Sequence, residues 1–211
     1  DKCWPFVIGS AAAMQHALRV IGGDIPTRIA HSLDDVAGQV GAIDVLDLEN
    51  MDFSLIEPGQ VSAVAGKASV EWILKAGELA SSGRVQAIAT APINKEACSL
   101  AGYKDVGHME ILQSQTGATE VATMLMAGSL RVVHLTTHRS LRVACDYVTR
   151  ANVLAKIELT DRSFKGWGFP TPRIGVAALN PHASDGGLLG DEEKNEIAPA
   201  VEAARAQGID A

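Results

Sequence analysis

Aromatic residues are scarce. Phe, Trp and Tyr make up 4% of the 211 residues, and a surface that stacks bases or sugar rings needs such rings. Basic residues are outnumbered, with 18 Lys plus Arg against 25 Asp plus Glu. The net charge of −7 and pI near 5.3 exclude a nucleic-acid surface and a basic membrane-binding face. The cysteines, Cys3, Cys98 and Cys145, are three, widely separated and without a C-x-x-C pair. Neither a disulfide framework nor a thiolate zinc site is indicated, and a reducing cytoplasm is the expected location. No apolar run approaches the ~18–20 residues of a membrane span and no charged-then-apolar leader is visible, so a soluble protein is expected. Also missing are G-x-x-x-x-G-K-[ST], G-x-S-x-G, H-E-x-x-H and G-x-G-x-x-G. That leaves a phosphate loop, a serine-hydrolase elbow, a helical zinc pair and a standard Rossmann cofactor site without support.

What is present suits a packed enzyme core. Hydrophobic residues are 47% and charged residues 20%, and the chain is rich in Ala and holds 20 Gly, small residues that let helices lie close on a sheet. Short apolar runs alternate with amphipathic stretches. The pattern predicts a strand over 4–9 running into a helix over 10–20, and a second strand over 43–48. A helix over 60–80 follows, with Val64, Ala68, Trp72 and Ala76 on one stripe. Further strands are predicted over 85–90 and 173–179. Residues 121–127 and 130–136 read as a hairpin joined by Gly128-Ser129. Helices are expected over 140–159 and 191–207, the latter with acidic residues at its start and Gly208 at its end. Strands alternating with helices define an α/β fold, with a mixed, mostly parallel sheet flanked by helices. No linker, repeat or low-complexity tract marks a domain boundary, and 164–172 is the most loop-like stretch.

Ligands of open α/β sheets sit outside the carboxyl ends of the strands, so the segments after each strand carry the candidates. His138, in Leu135-Thr136-Thr137-His138, can offer a ring nitrogen to a metal or act as acid or base. A loop histidine bonded to backbone is the plain alternative. His134 lies four residues earlier, roughly 13 Å away on a strand, too far to share a metal, and reads as structural. His182 holds the equivalent place in Leu179-Asn180-Pro181-His182-Ala183-Ser184-Asp185-Gly186-Gly187, where a solvated turn is the alternative. Two histidines at equivalent strand ends make two ligands of a divalent site, which normally needs a third. His108, in Gly102-Tyr103-Lys104-Asp105-Val106-Gly107-His108-Met109-Glu110, enters a helix whose free N–H groups suit a phosphate or carboxylate. Lys95, after the predicted strand 85–90, offers a point charge to such an anion, and Asn94 beside it is placed to cap the following helix. A helix cap and a solvated lysine are the competing readings of these two positions.

In this order, Thr90-Ala91-Pro92-Ile93-Asn94-Lys95, Gly107-His108-Met109-Glu110, Thr136-Thr137-His138 and the 179–187 segment resemble the 4-hydroxythreonine-4-phosphate dehydrogenase family of pyridoxal phosphate biosynthesis. Each motif is weak alone, and the ordered set is specific. Members of that family are longer at both ends, with a G-D-P-x-G-I-G-P-E opening and a later H-D-Q-G segment that carries a third metal histidine. The chain, which opens on Asp1 and not Met, is therefore expected to be the central part, 1–211, of a two-subdomain dehydrogenase truncated at both ends. The resemblance implies an isocitrate/isopropylmalate dehydrogenase-like fold and a homodimer with an active site shared between subunits. It implies NAD or NADP bound without the Rossmann glycines, and a divalent metal (Zn, Mg, Mn or Co). By position, His138 and His182 match two metal ligands, and His108 matches a substrate-contacting residue. The implied chemistry is oxidation of the secondary alcohol of a small phosphorylated hydroxy acid, followed by decarboxylation of the keto acid.

One position departs from the family. Gly-His-Thr-Glu becomes Gly107-His108-Met109-Glu110, and a thioether barely accepts the hydrogen bond a threonine hydroxyl makes. Losing one buried substrate bond costs roughly 1–3 kcal/mol. Phospho-threonate, phospho-erythronate or a dihydrodiol acid are therefore alternatives to 4-hydroxythreonine-4-phosphate as the anionic substrate. Outside the dehydrogenase class, a metal-dependent hydrolase built on His138, His182 and Asp185, or a non-catalytic anion-binding domain, would use the same residues.

Overall fold

The computed structural model describes residues 3–105 and 107–211, and the chain divides into two compact units, 1–119 and 120–211. The predicted Val106 of the 102–110 motif lies outside the described residues.

In the first unit, β1 (Val7–Gly9), β2 (Thr27–Ala30) and β3 (Ile43–Asp47) form a parallel sheet in the order β1-β3-β2. Val7 pairs with Val45 and Ile29 with Val45 from the other side, which makes β3 the central strand. Its residues Asp44, Val45 and Leu46 are buried accordingly. Helix α1 (Ala11–Val20) starts at Ser10, whose Oγ accepts from Ala13 N at 3.3 Å, while Asp47 at the end of β3 accepts from Ala11 N at 2.8 Å. Both bonds answer N–H groups that a helix start leaves unpaired. Strand β2 has no counterpart among the sequence expectations: its four residues alternate poorly and follow Pro26.

Helix α2 (Ala63–Ser81), capped by Ser62, packs β1, α3 (Lys95–Leu100) and α4 (His108–Thr116). Its buried face is Gly66, Ala68, Val70, Ile73, Gly77 and Leu79, rotated from the expected stripe; Val64 is 41% exposed. The reason is steric. A Cβ on Gly66 would run into Ala97 O and Cys98 N of α3, so the side that looks least apolar in the sequence is the one that lets a backbone approach. Val70, Ile73, Cys98 and Ile111 fill one core cluster, and Ala30, Leu46 and Leu79 a second. The expected strand 85–90 forms no ladder among the described residues. Val85 packs on the second cluster, and most of the segment is exposed.

In the second unit, β4 (Met124–Ala127) and β5 (Leu130–Val133) form the predicted hairpin as a two-stranded antiparallel sheet of its own, not as an addition to the parallel sheet. Gly128 turns it with φ 58°. The expected helix 140–159 is two helices, α5 (Leu141–Asp146) and α6 (Arg150–Gly166), and Thr149 caps the second through Asn152 N at 3.3 Å. A turn of π-helix, Glu193–Ile197, leads into α7 (Ala198–Ala206). Val153 and Ile157 of α6 meet Ile197, Ala200 and Ala204, and Ile174, Val176 and Leu179 close this core. Residues 173–177 alternate outward and inward as a strand does, and the period breaks at Ala178, which is exposed like Ala177 while Leu179 turns inward. Their only ladder contact among the described residues is the parallel bridge of Arg173 to Asp210.

Candidate functional site

The candidate residues fall on two kinds of backbone. Lys95 is the first residue of α3 and His108 the first of α4, both helices held by α2. Asn94 caps α3 as expected, its Oδ1 accepting from Ala97 N at 2.9 Å, so Lys95 projects from a defined helix start and is exposed. Helix α4 starts differently. Its N-cap is the buried Gly107, and the Glu110 carboxylate folds back over it, where a Cβ would strike Glu110 Oε2. An acid at the third helical position already complements the positive end of α4. His108 is half-buried and Met109 is 38% exposed.

His138 and His182 lie in the second unit and are both exposed, His138 in a loop and His182 in the short helical segment Pro181–Gly187. His138 follows β5, and its neighbour His134 extends the hairpin by donating its backbone N–H to Thr123 O at 3.0 Å. Both candidates have left-handed backbone, with φ of 54° at His138 and 53° at His182. After Pro181 the run continues through Ala183, Ser184, Asp185 and Gly186, a left-handed turn inside the short helical segment Pro181–Gly187. For residues with a Cβ this conformation costs roughly 1–2 kcal/mol each, and such strain concentrates at ligand clamps and active sites. Among the described residues, the remaining non-glycine outlier is Glu49.

The turn is anchored at both ends. Ser184 is buried, and its carbonyl accepts from the backbone N–H groups of Leu188 and Leu189. At the other end the Glu193 carboxylate accepts from Leu179 N at 2.9 Å and Asn180 N at 2.7 Å, and from Asn180 Nδ2 at 2.9 Å. The Asn180 bonds, backbone first and side chain second, hold the Glu193 carboxyl down at about 2. Sequence reasoning took Glu193 for a helix-dipole acid. The available signal was a pair of acids, Glu192 and Glu193, ten and eleven residues beyond His182 of the Asn-Pro-His turn.

Imidazole nitrogens suit divalent ions such as Zn, Mn and Co, so the donor chemistry of His138 and His182 fits a metal. The donor number does not complete one. No group of three or more His, Cys, Asp or Glu able to hold an ion is found among the described residues. Lys95 and His108 belong to the first unit, and His138 and His182 to the second.

A concave feature outside the candidate set opens at the carboxyl ends of β2 and β3. This cleft of about 550 Å³ is lined by His31, Asp34, Glu49, Lys75, Glu78 and Arg84 over a floor of Leu46 and Leu79. Its charges are satisfied internally: Arg84 meets Asp34 at 3.0 Å, Lys75 meets Glu78 at 2.9 Å and His31 meets Glu49 at 3.4 Å.

A parallel sheet flanked by helices defines an α/β fold. The chain belongs to the family described as pyridoxal phosphate biosynthetic protein PdxA, which it matches over residues 1–211. It is 40% identical over 214 residues to the D-threonate 4-phosphate dehydrogenase of Cupriavidus necator, covering 99% of this chain and 63% of that protein. Among solved structures it resembles a 4-hydroxythreonine-4-phosphate dehydrogenase from Klebsiella pneumoniae (TM-score 0.91, 39% identity, 97% of this chain and 62% of that one). A second, from Burkholderia phymatum, gives a TM-score of 0.87 at 40% identity, with 99% of this chain and 63% of that one covered. The chain therefore spans a little under two thirds of the length of the proteins it matches.

Proposed function

We propose that the protein containing this chain is a metal- and NAD-dependent dehydrogenase of a small phosphorylated hydroxy acid. The substrate has a secondary alcohol placed so that its oxidation gives a β-keto acid. A bound nicotinamide would take hydride from the carbinol carbon and the hydroxyl proton would pass to a base; loss of the β-carboxylate as carbon dioxide would then leave an enolate that a proton completes to the ketone. The observation that carries this reading is the pairing of family membership with His138 and His182, which stand on left-handed backbone, at His182 in a turn held by Glu193 and Ser184. In this reading the two imidazoles would supply two of a divalent ion's ligands. When bound, the ion would lower the alcohol's pKa and stabilise the developing carbonyl. Lys95 and His108, each at a helix start, bind the substrate's anionic groups.

Between substrates, Met109 favours one without a hydroxyl or amine aimed at that position. This choice follows from the side chain: a thioether replaces the family's threonine, and the residue is 38% exposed beside His108. That condition does not separate threonate 4-phosphate from 4-hydroxythreonine-4-phosphate, which carry a hydroxyl and an amine at the same carbon; the sugar acid is preferred on the likeness to the D-threonate 4-phosphate dehydrogenase of Cupriavidus necator. The full-length protein, given a panel of these acids with NAD, NADP and divalent metals, is expected to produce NADH with the sugar-acid phosphate most efficiently. His138→Ala and His182→Ala each abolish turnover while the circular dichroism spectrum stays that of the folded protein. Phosphate release without NAD would establish a hydrolase instead.

A further inference from the structure

We propose that Glu193 is a positioning residue that fixes the left-handed turn presenting His182. The inference uses the reading of His182 as a metal ligand for only one of its two readouts. Residues 179 and 180 form the root of the turn, and Glu193 takes both of their consecutive backbone N–H groups, at 2.9 and 2.7 Å. Its second oxygen takes the Asn180 side-chain amide at 2.9 Å, while Glu192 takes the same nitrogen at 2.7 Å. Neighbouring residues of a regular helix point about 100° apart, so two consecutive carboxylates do not ordinarily reach one amide. They do so here where the helix opens into the π-turn Glu193–Ile197, a device that recurs at functional sites.

A carboxylate serving only its own helix would bond N–H groups of that helix. Glu193 also reaches the chain 13 and 14 residues earlier, immediately before Pro181-His182. Ser184 O holds the far end of the turn through Leu188 and Leu189. Between these anchors the run from His182 to Gly186 is left-handed throughout, so the anchors and not local preference set where the imidazole stands. Removing a group bonded directly to a metal-binding histidine weakens metal binding by about 10–100-fold, and Glu193 acts one step further out, through the backbone of residues 179 and 180.

The test compares wild type, Glu193→Gln, Glu193→Ala and His182→Ala by hydrogen exchange of the 179–187 amides and by titration with Co²⁺. In wild type, the Leu179 and Asn180 amides are protected from exchange. In Glu193→Ala they exchange at least about tenfold faster while α6 keeps its protection, and the Co²⁺ dissociation constant rises about tenfold or more. Glu193→Gln, which preserves shape and one acceptor oxygen, gives a smaller loss of both. Unprotected Leu179 and Asn180 amides in wild type, or unchanged exchange in Glu193→Ala, overturns the proposal, and the wild-type measurement decides even if a variant fails to fold. Faster exchange with unchanged Co²⁺ affinity, while His182→Ala loses that affinity, reduces Glu193 to a structural anchor and also overturns it. If His182→Ala binds Co²⁺ as wild type does, the metal reading of His182 fails, and the exchange data still decide whether Glu193 holds the turn.

Discussion

A buried carboxylate survives folding only if its neighbours replace the water it loses, and Asp44 in the central strand meets that condition. Its oxygens take Arg28 Nε at 2.7 Å and Gly38 N at 2.8 Å. Burial by itself would raise this carboxyl; the Gly38 N–H and the Arg28 guanidinium outweigh it and hold the group below the usual carboxylate range. Because the folded value lies below the unfolded one, ionised Asp44 contributes stability above the ordinary value of about 3.9. That contribution is lost as pH falls through the lowered folded value. Urea unfolding of wild type and Asp44→Asn is therefore expected to show a clear gap near neutrality that closes under acid conditions. A gap unchanged between about pH 7 and pH 3 refutes the assignment. The thiols divide in the same physical way. Cys98 is fully buried and its thiol is pushed up by burial, whereas Cys3 and Cys145 are exposed. A thiol reagent is expected to label Cys3 and Cys145 in the folded protein and Cys98 only on unfolding, as read by peptide mass mapping. Rapid labelling of Cys98 would contradict the packing of α3 on α2.

Among the elements, α2 shows how a helix can be recognised while its face is misjudged. The helix expected over 60–80 runs Ala63–Ser81, its start set by Ser62, which caps it as Ser10, Asn94 and Ser140 cap α1, α3 and α5. The buried face was not legible, since Gly66 contributes nothing to a hydrophobic pattern yet lets α3 come close. Gly66→Ala is expected to lower stability by roughly 1–3 kcal/mol through overpacking, although Ala ordinarily gains about 1 kcal/mol over Gly within a helix. Gly166→Ala, at the last residue of α6 with open space where its Cβ would go, is the control and should be neutral or mildly stabilising. Equal effects at both positions in urea unfolding would refute the close approach. Hairpin β4–β5 was legible because turn and strands are contiguous, and the same local signals wrongly promoted 85–90 and 173–179. Ladder formation depends on a neighbour supplied from elsewhere in the chain, which local periodicity does not carry. The site divides similarly. His108, His138 and His182 stand out as chemistry at strand and helix ends, but the left-handed turn and its Glu193 anchor arise from contacts 13 and 14 residues apart that no short motif announces.

At the scale of the whole molecule, the net charge of −7 appears at odds with an anionic substrate until local fields are considered. Long-range charge governs encounter and solubility; a few groups at short range govern binding. Lys95, a helix start at His108 and a divalent ion on His138 and His182 would supply that local field, so the metal reading has a consequence for global stability as well as chemistry. An ion that binds only the folded state stabilises it by RT ln(1 + [L]/Kd), about 2.7 kcal/mol at a hundredfold excess over Kd. For a chain of this size, that corresponds to a rise in melting temperature of roughly 5–10 °C. Saturating Co²⁺ or Mn²⁺ is therefore expected to raise the melting temperature of the protein, and excess chelator to reverse the shift. His138→Ala and His182→Ala should each remove most of the response, with a melting temperature in chelator within a few degrees of wild type, because both side chains are exposed and leave no cavity behind. A metal response that survives in both variants would place the ion elsewhere. A wild type that does not respond to any divalent ion would remove the metal from these residues altogether.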